Sequence, residues 1–149
     1  FDHPNSIEFD LLVRHVNDLK HGRSIERPVY SYVTCARLDE TVTVKPSKVI
    51  IIEGILIFTH PELLKLMGVK VFVDADSDNR LMRIINRDIQ ERGRNFKEVL
   101  NHYEKFVRPM YLQFIEPTKR FADLVVPQGG ENKVAIDILV ARIKEILNN

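Results

Sequence analysis

Three short β-branched runs stand out along the chain, between stretches whose apolar residues recur every three to four positions. VIIIEGI (Val49 to Ile55), VKVFVDA (Val69 to Ala75) and ADLVVP, which ends at Pro127, read as strands of a parallel sheet buried on both faces. A short helix, His60 to Met67, separates the first two. Earlier, Asn5 and Glu8 have capping-box spacing, Leu12, Val16 and Leu19 follow at helical spacing, and His21-Gly22 supplies a stop. PVYSYVT (Pro28 to Thr34) and ETVTV (Glu40 to Val44) alternate in the period-two manner of strands, and the intervening Ala36-Arg37-Leu38-Asp39 predicts a polar connection in an antiparallel hairpin. Two long helices are expected over about Ser77 to Arg92 and Asn95 to Ile115, the second kinked at Pro109. A last helix, Asn132 to Leu147, carries Ile136, Leu139, Ile143 and Ile146 on one face. Strands alternating with helices imply an α/β fold with a mostly parallel sheet, in which ligands gather at the carboxyl ends of the strands.

Composition narrows this only a little. The chain has 149 residues, 44% hydrophobic and 29% charged, enough for one globular domain with a core. A net charge of +1 provides no global field for nucleic acid or an anionic membrane, so any basic site must be local. Cys35 is the single cysteine, which excludes an internal disulfide and fits a reducing compartment. The longest apolar runs are too short to span a bilayer.

The candidate chemistry begins with RDIQERGRN. Arg83 and Arg87 share a helix face, and Gly93 marks a helix end from which Arg92 and Arg94 enter a loop. Arginine forks suit phosphate oxygens, whereas pairing of Arg87 with Glu91 on a solvated face is the plainer reading. Glu53, at the end of an apolar strand, either takes part in metal or base chemistry, or caps a helix or pairs with an arginine. Asp74 and Asp76 are expected to cap the helix that follows them.

FDHPNSIEFD, RPVYSYVTCAR, VIIIEGIL, VFVDADSDNRLMRIINRDIQERGR, VRPMYLQFIEPTKRFADLVVP and GGENKVAID together resemble the uridine kinase family, the uridine–cytidine branch of the P-loop kinases. The resemblance runs collinearly over essentially the whole chain. It implies a P-loop-kinase-like sheet with flanking helices, a hairpin insertion at about 28–45 and a helical lid at about 77–100, within a single domain covering 1–149. It also implies transfer of the γ-phosphoryl of ATP or GTP to the 5′-hydroxyl of uridine or cytidine with Mg²⁺, by a cytoplasmic homotetramer serving pyrimidine salvage. By the same resemblance Arg87 and Arg92 face phosphate, and Arg94 reaches the nucleoside side. Asp2 binds the ribose hydroxyls, Tyr30 and Tyr32 surround the base, Glu53 lies near Mg²⁺, and Gly129, Gly130 and Glu131 pass beside adenine.

Three positions depart from the family pattern: Cys35 replaces a histidine at the base edge, Ile84 an arginine, and His102 a glutamine that reads the base. A neutral His102 can still donate one hydrogen bond and accept one. The sequence contains no G-x-x-x-x-G-K-[ST] segment, the phosphate cradle of P-loop kinases, and the aspartate serving as general base in the family would precede Phe1. The expectation is therefore a kinase whose 149 residues alone do not turn over. The alternatives are a non-catalytic assembly or nucleoside-binding fragment, and a related P-loop kinase with another small hydroxyl substrate.

Overall fold

Parallel pairing of two short strands sets the frame. The computed structural model describes residues 3–31, 34 and 36–148. Strand β3 (Val71–Val73) pairs with β4 (Leu124–Val126) in the register Val71↔Leu124, Phe72↔Val125 and Val73↔Val126. The Asp123 carboxylate fixes the start of this ladder, accepting from the Lys70 amide at 2.8 Å and pairing with its ammonium at 2.9 Å. These bonds, led by the one from the Lys70 side chain, hold the Asp123 carboxyl below its ordinary pKa.

The expected antiparallel hairpin forms between β1 (Ile25–Ser31) and β2 (Ala36–Val44), with a register shift between Pro28 and Tyr30. Ala36 to Asp39 belong to β2 itself and not to the polar connection that the sequence predicts there. Thr41 and Thr43 both donate to Glu26 across the strands and lower its pKa, Thr43 more strongly.

Helix α1 (Phe9–Lys20) sends Phe9, Val16 and Leu19 inward. The capping box expected at Asn5 and Glu8 is not formed. Instead a short 3₁₀ turn at Pro4–Ser6 is capped by His3, whose Nδ1 accepts from the Asn5 amide at 3.1 Å, and Glu8 gives α1 no side-chain cap. Proline at the first helical position favours that separate turn. Helix α2 (Pro61–Leu66) places Leu63 in the core, fully buried. Leu63 packs there with Phe9, Val16, Leu56, Phe58, Phe72 and Ile115.

The expected strand over Val49 to Ile55 is absent, and residues 49–54 adopt no regular element. Ile51 is 76% exposed and Ile55 58%. A strand exists only by pairing, and among the described residues none lies alongside this run to complete a ladder.

Helix α3 (Ser77–Gln90) follows β3, and α4 (Phe96–His102) opens with the capping box that is missing at Asn5. The Asn95 side chain accepts from the Glu98 amide at 2.9 Å, and Glu98 accepts from the Asn95 amide at 3.2 Å. The chain continues helically through wide π turns at Tyr103–Val107 and Tyr111–Ile115, on either side of α5 (Arg108–Met110). The disturbance expected at Pro109 thus takes the form of two π turns flanking the residue that lacks an amide hydrogen. A 3₁₀ stretch (Glu116–Phe121) leads to β4, and α6 (Lys133–Asn148) closes the described chain. Among the described residues no helix is long and apolar enough to cross a membrane.

Candidate functional site

The arginines of RDIQERGRN converge on one buried carboxylate. Asp88 is 1% exposed, and its Oδ1 lies 2.9 Å from Arg87 Nε and 3.3 Å from Arg92 Nη1, while Oδ2 lies 3.0 Å from Arg94 Nη1. Arg87 therefore pairs with its own neighbour rather than with Glu91. Gly93 adopts φ +63°, and this left-handed step returns the chain so that the Arg94 amide donates to the Asp88 carbonyl at 3.1 Å. Backbone and side chain of Asp88 are thus both tied to Arg94. A carboxylate near a helix C-terminus opposes the macrodipole, and a buried one is costly unless paired, so the three guanidinium groups are what make this position tenable. Those groups are themselves partly exposed, at 45%, 40% and 39% for Arg87, Arg92 and Arg94. Three positive charges against one negative leave an excess of two at the surface. Sequence reading found the cations and missed Asp88, because adjacent helix positions are not expected to pair.

A second charged group assembles at the carboxyl ends of β3 and β4. Lys119 donates to Asp74 and lies 5.9 Å from the centroid of the Phe72 ring. The hydrogen bond to Asp74 raises the Lys119 pKa. Asp74 was expected to cap α3 and instead holds this lysine, while Asp76 occupies the N-cap position without a side-chain bond. Beside them Arg80 stacks on the Tyr111 ring, 3.5 Å from its centroid, and the Tyr111 hydroxyl donates to Glu116. Burial, then the bond to Glu116, pushes the Tyr111 phenol up to about 12.

Gly129, Gly130 and Glu131 form a 3₁₀ turn directly after β4. The Gly129 amide donates to the Asp74 carbonyl at 2.9 Å, and a Cβ at Gly129 would lie 3.4 Å from Arg83 Nη1. That contact is an ordinary one with the end of a flexible side chain, and it is the φ of +61° that favours glycine here. This turn stands at the strand ends, where α/β folds bind ligands. The Asp88 cluster lies toward the opposite end of α3, a 14-residue helix, which at 1.5 Å per residue spans roughly 20 Å.

On the hairpin, Tyr30 is 50% exposed and faces Arg37 across the ladder. Arg37 reaches Glu8 at 3.0 Å, drawing this part of the hairpin toward the start of α1. A cleft of about 260 Å³ opens there, bordered by Pro4, Ile7, Glu8, Phe9 and His60, whose ring stacks on Phe9 at 5.0 Å. Asp2, Tyr32 and Cys35 lie outside the described residues. His102 ends α4, with its ring 5.4 Å from that of Phe106.

Glu53 is exposed, just before Gly54. Among the described residues no three His, Cys, Asp or Glu side chains gather into a metal-binding group. One accessible carboxylate suits the mode in which Mg²⁺ keeps most of its waters and takes its remaining ligands from substrate phosphates.

A family model described as "Phosphoribulokinase / Uridine kinase family" matches residues 1–135. The chain is 51% identical over 147 residues to a uridine kinase of Ligilactobacillus salivarius, covering 99% of this chain and 69% of that protein. It is 53% identical over 145 residues to one from Salmonella paratyphi B, covering 97% of this chain and 68% of that one. A uridine kinase of Clostridium perfringens is 48% identical over 147 residues, covering 99% and 71%.

Proposed function

Because the chain belongs to the phosphoribulokinase/uridine kinase family, we propose that its full-length form transfers the γ-phosphoryl of ATP or GTP to the 5′-hydroxyl of uridine or cytidine. The observation that carries this reading is the convergence of Arg87, Arg92 and Arg94, with two positive charges in excess, at the C-terminal end of α3. Phosphoryl transfer needs positioning and cancellation of charge on the transferring oxygens more than covalent help, and a cationic lid supplies both. In this reading residues 77–100 are the lid of a single domain, and closure brings their arginines to the strand ends. Arg87 and Arg92 act on phosphate, while Arg94 and His102 face the nucleoside. Asp2 accepts from the ribose hydroxyls, and Tyr30, Tyr32 and Cys35 border the base. Gly130 and Glu131 flank the adenine, and Glu53 would help to hold Mg²⁺. By resemblance the enzyme is a cytoplasmic homo-oligomer.

The test is uridine phosphorylation by the full-length protein with ATP and Mg²⁺, compared with Arg87→Ala. The expected result is a fall in kcat of about 100-fold or more with uridine binding nearly unchanged, as for an interaction made chiefly in the transition state. Equal loss in both, or none in turnover, removes Arg87 from the phosphate. Residues 1–149 alone, with no G-x-x-x-x-G-K-[ST] segment in their sequence, are expected to bind uridine without forming ADP. Sustained uridine-dependent ADP formation by that chain would place the phosphate cradle elsewhere.

A further inference from the structure

Asp88 has no assigned part in the reaction, yet three arginines of the lid, Arg87, Arg92 and Arg94, reach it. We propose that Asp88 is the positioning residue of the lid, gathering Arg87, Arg92 and Arg94 into one array before a polyphosphate arrives and yielding guanidinium bonds to that polyphosphate as it binds. The turnover part of this inference rests on the kinase reading, whereas the exchange of partners does not.

The asymmetry of exposure points to the exchange. The anion is 1% exposed, and the cations present 39–45% of their side-chain surface. Each guanidinium has several N–H donors, and the contacts to Asp88 take one nitrogen from each, which leaves outward donors for a ligand. Arginine loses much rotamer freedom when it is ordered. Here that ordering is already supplied by Asp88, so it does not have to be met when the ligand binds. The carboxylate also keeps the three like charges together while no ligand is present, and because one negative charge answers three positive ones the array still attracts an anion. Gly93 adds a backbone device, since its left-handed turn seats Arg94 on the same residue whose carbonyl accepts the Arg94 amide. A salt bridge serving only to end the helix would not need three cations, nor a carboxylate sunk beneath them. A phosphoryl group offers more acceptor oxygens than Asp88, and a guanidinium can move from one to the other without losing an anionic partner.

The test has a kinetic arm and a ligand arm, both on the full-length protein. Asp88→Asn, close in shape, should lower kcat for uridine phosphorylation about tenfold or more while KM for ATP changes by no more than about twofold, because the pre-ordering lost with the carboxylate is offset by removing the anion that competes with the phosphates for the same guanidiniums. In an Arg87→Ala background the same substitution should cost markedly less, because Asp88 acts through the arginines. Equal fold losses in both backgrounds, or parallel losses in KM and kcat, would overturn the positioning role. The second arm uses wild-type protein and so does not depend on how the variant folds. The Arg87 Nε–H resonance, protected by its bond to buried Asp88, should persist near neutral pH and shift on titration with inorganic tripolyphosphate. A resonance unmoved by saturating tripolyphosphate would refute the exchange, as would one unchanged in Asp88→Asn. If wild-type protein responds to tripolyphosphate but never phosphorylates uridine, the kinase reading fails and the exchange stands.

Discussion

The two ends of α3 solve the same electrostatic problem by different routes. At the C-terminal end Asp88 meets three arginines no more than six residues away, so one helix turn and one left-handed glycine build the whole cluster. At the N-terminal end Asp74 is answered by Lys119, 45 residues later, and the adjoining Arg80–Tyr111–Glu116 group joins α3 to the helical run that precedes β4. The first cluster can form with its helix. The second exists only once β3, β4 and the helical run have docked. Burial differs as well: the Asp88 side chain is 2% exposed and that of Asp74 29%. Proximity in sequence thus produces the more buried anion, and the long-range cluster remains open to solvent and to the strand-end turn.

The largest expected effect tests that difference in burial. Asp88→Ala should lower unfolding stability by about 2–3 kcal/mol, because the buried acceptor of three charge-assisted bonds is lost while the partly exposed arginines can be rehydrated. Asp74→Ala should cost less. Urea midpoints of the two variants decide the matter, and equal shifts would mean that burial does not separate the clusters. Next comes Gly93→Ala. Nothing lies within 4 Å of a Cβ there, so the penalty is the left-handed backbone itself, about 1–2 kcal/mol. Hydrogen exchange at the Arg94 amide should quicken, with the α1 amides unchanged. Faster exchange in α1 as well would show that the lid end is not an independent local unit.

The same contrast explains what could be read from the residues. The arginine cluster, the hairpin, helix α3 and the β4 run are local patterns, and all were legible. Asp88 was passed over because its pairing with Arg87 depends on how a long side chain curls back along the helix, which spacing rules omit. Asp74 was assigned to a cap because its actual partner, Lys119, is distant in sequence and only docking brings it close. Val49 to Ile55 has the composition of a buried strand, but composition cannot supply the neighbouring ladder, and Ile51 stands exposed. The capping box was a sound rule at the wrong address. Asn95 and Glu98 satisfy it, whereas Pro4 diverts the earlier segment into a 3₁₀ turn.

The smallest effect sharpens the comparison from the long-range side. Tyr111 donates to Glu116 and carries Arg80 on its ring, so Tyr111→Phe deletes the hydroxyl and keeps the aromatic face beneath the guanidinium. The substitution therefore isolates one bond of the network, worth about 1 kcal/mol once its partial exposure is taken into account. Its pH dependence has a definite sign. The phenol is raised from 10.0 to about 12 in the folded chain, first by burial and then by the bond to Glu116. A raised pKa gives stability that is complete below the unfolded value and lost as pH climbs through the folded one. Wild-type protein should thus exceed Tyr111→Phe in stability up to about pH 10, and the gap should close toward pH 12 as the phenolate forms beside the Glu116 carboxylate. Ultraviolet titration of the phenolate gives the check: a step near pH 12 should be present in wild-type protein and vanish from the curve in Tyr111→Phe. If the step lost in Tyr111→Phe lies instead near pH 10, the Tyr111–Glu116 bond does not survive in solution, and the strand-end cluster is looser than the Asp88 cluster by more than exposure alone accounts for.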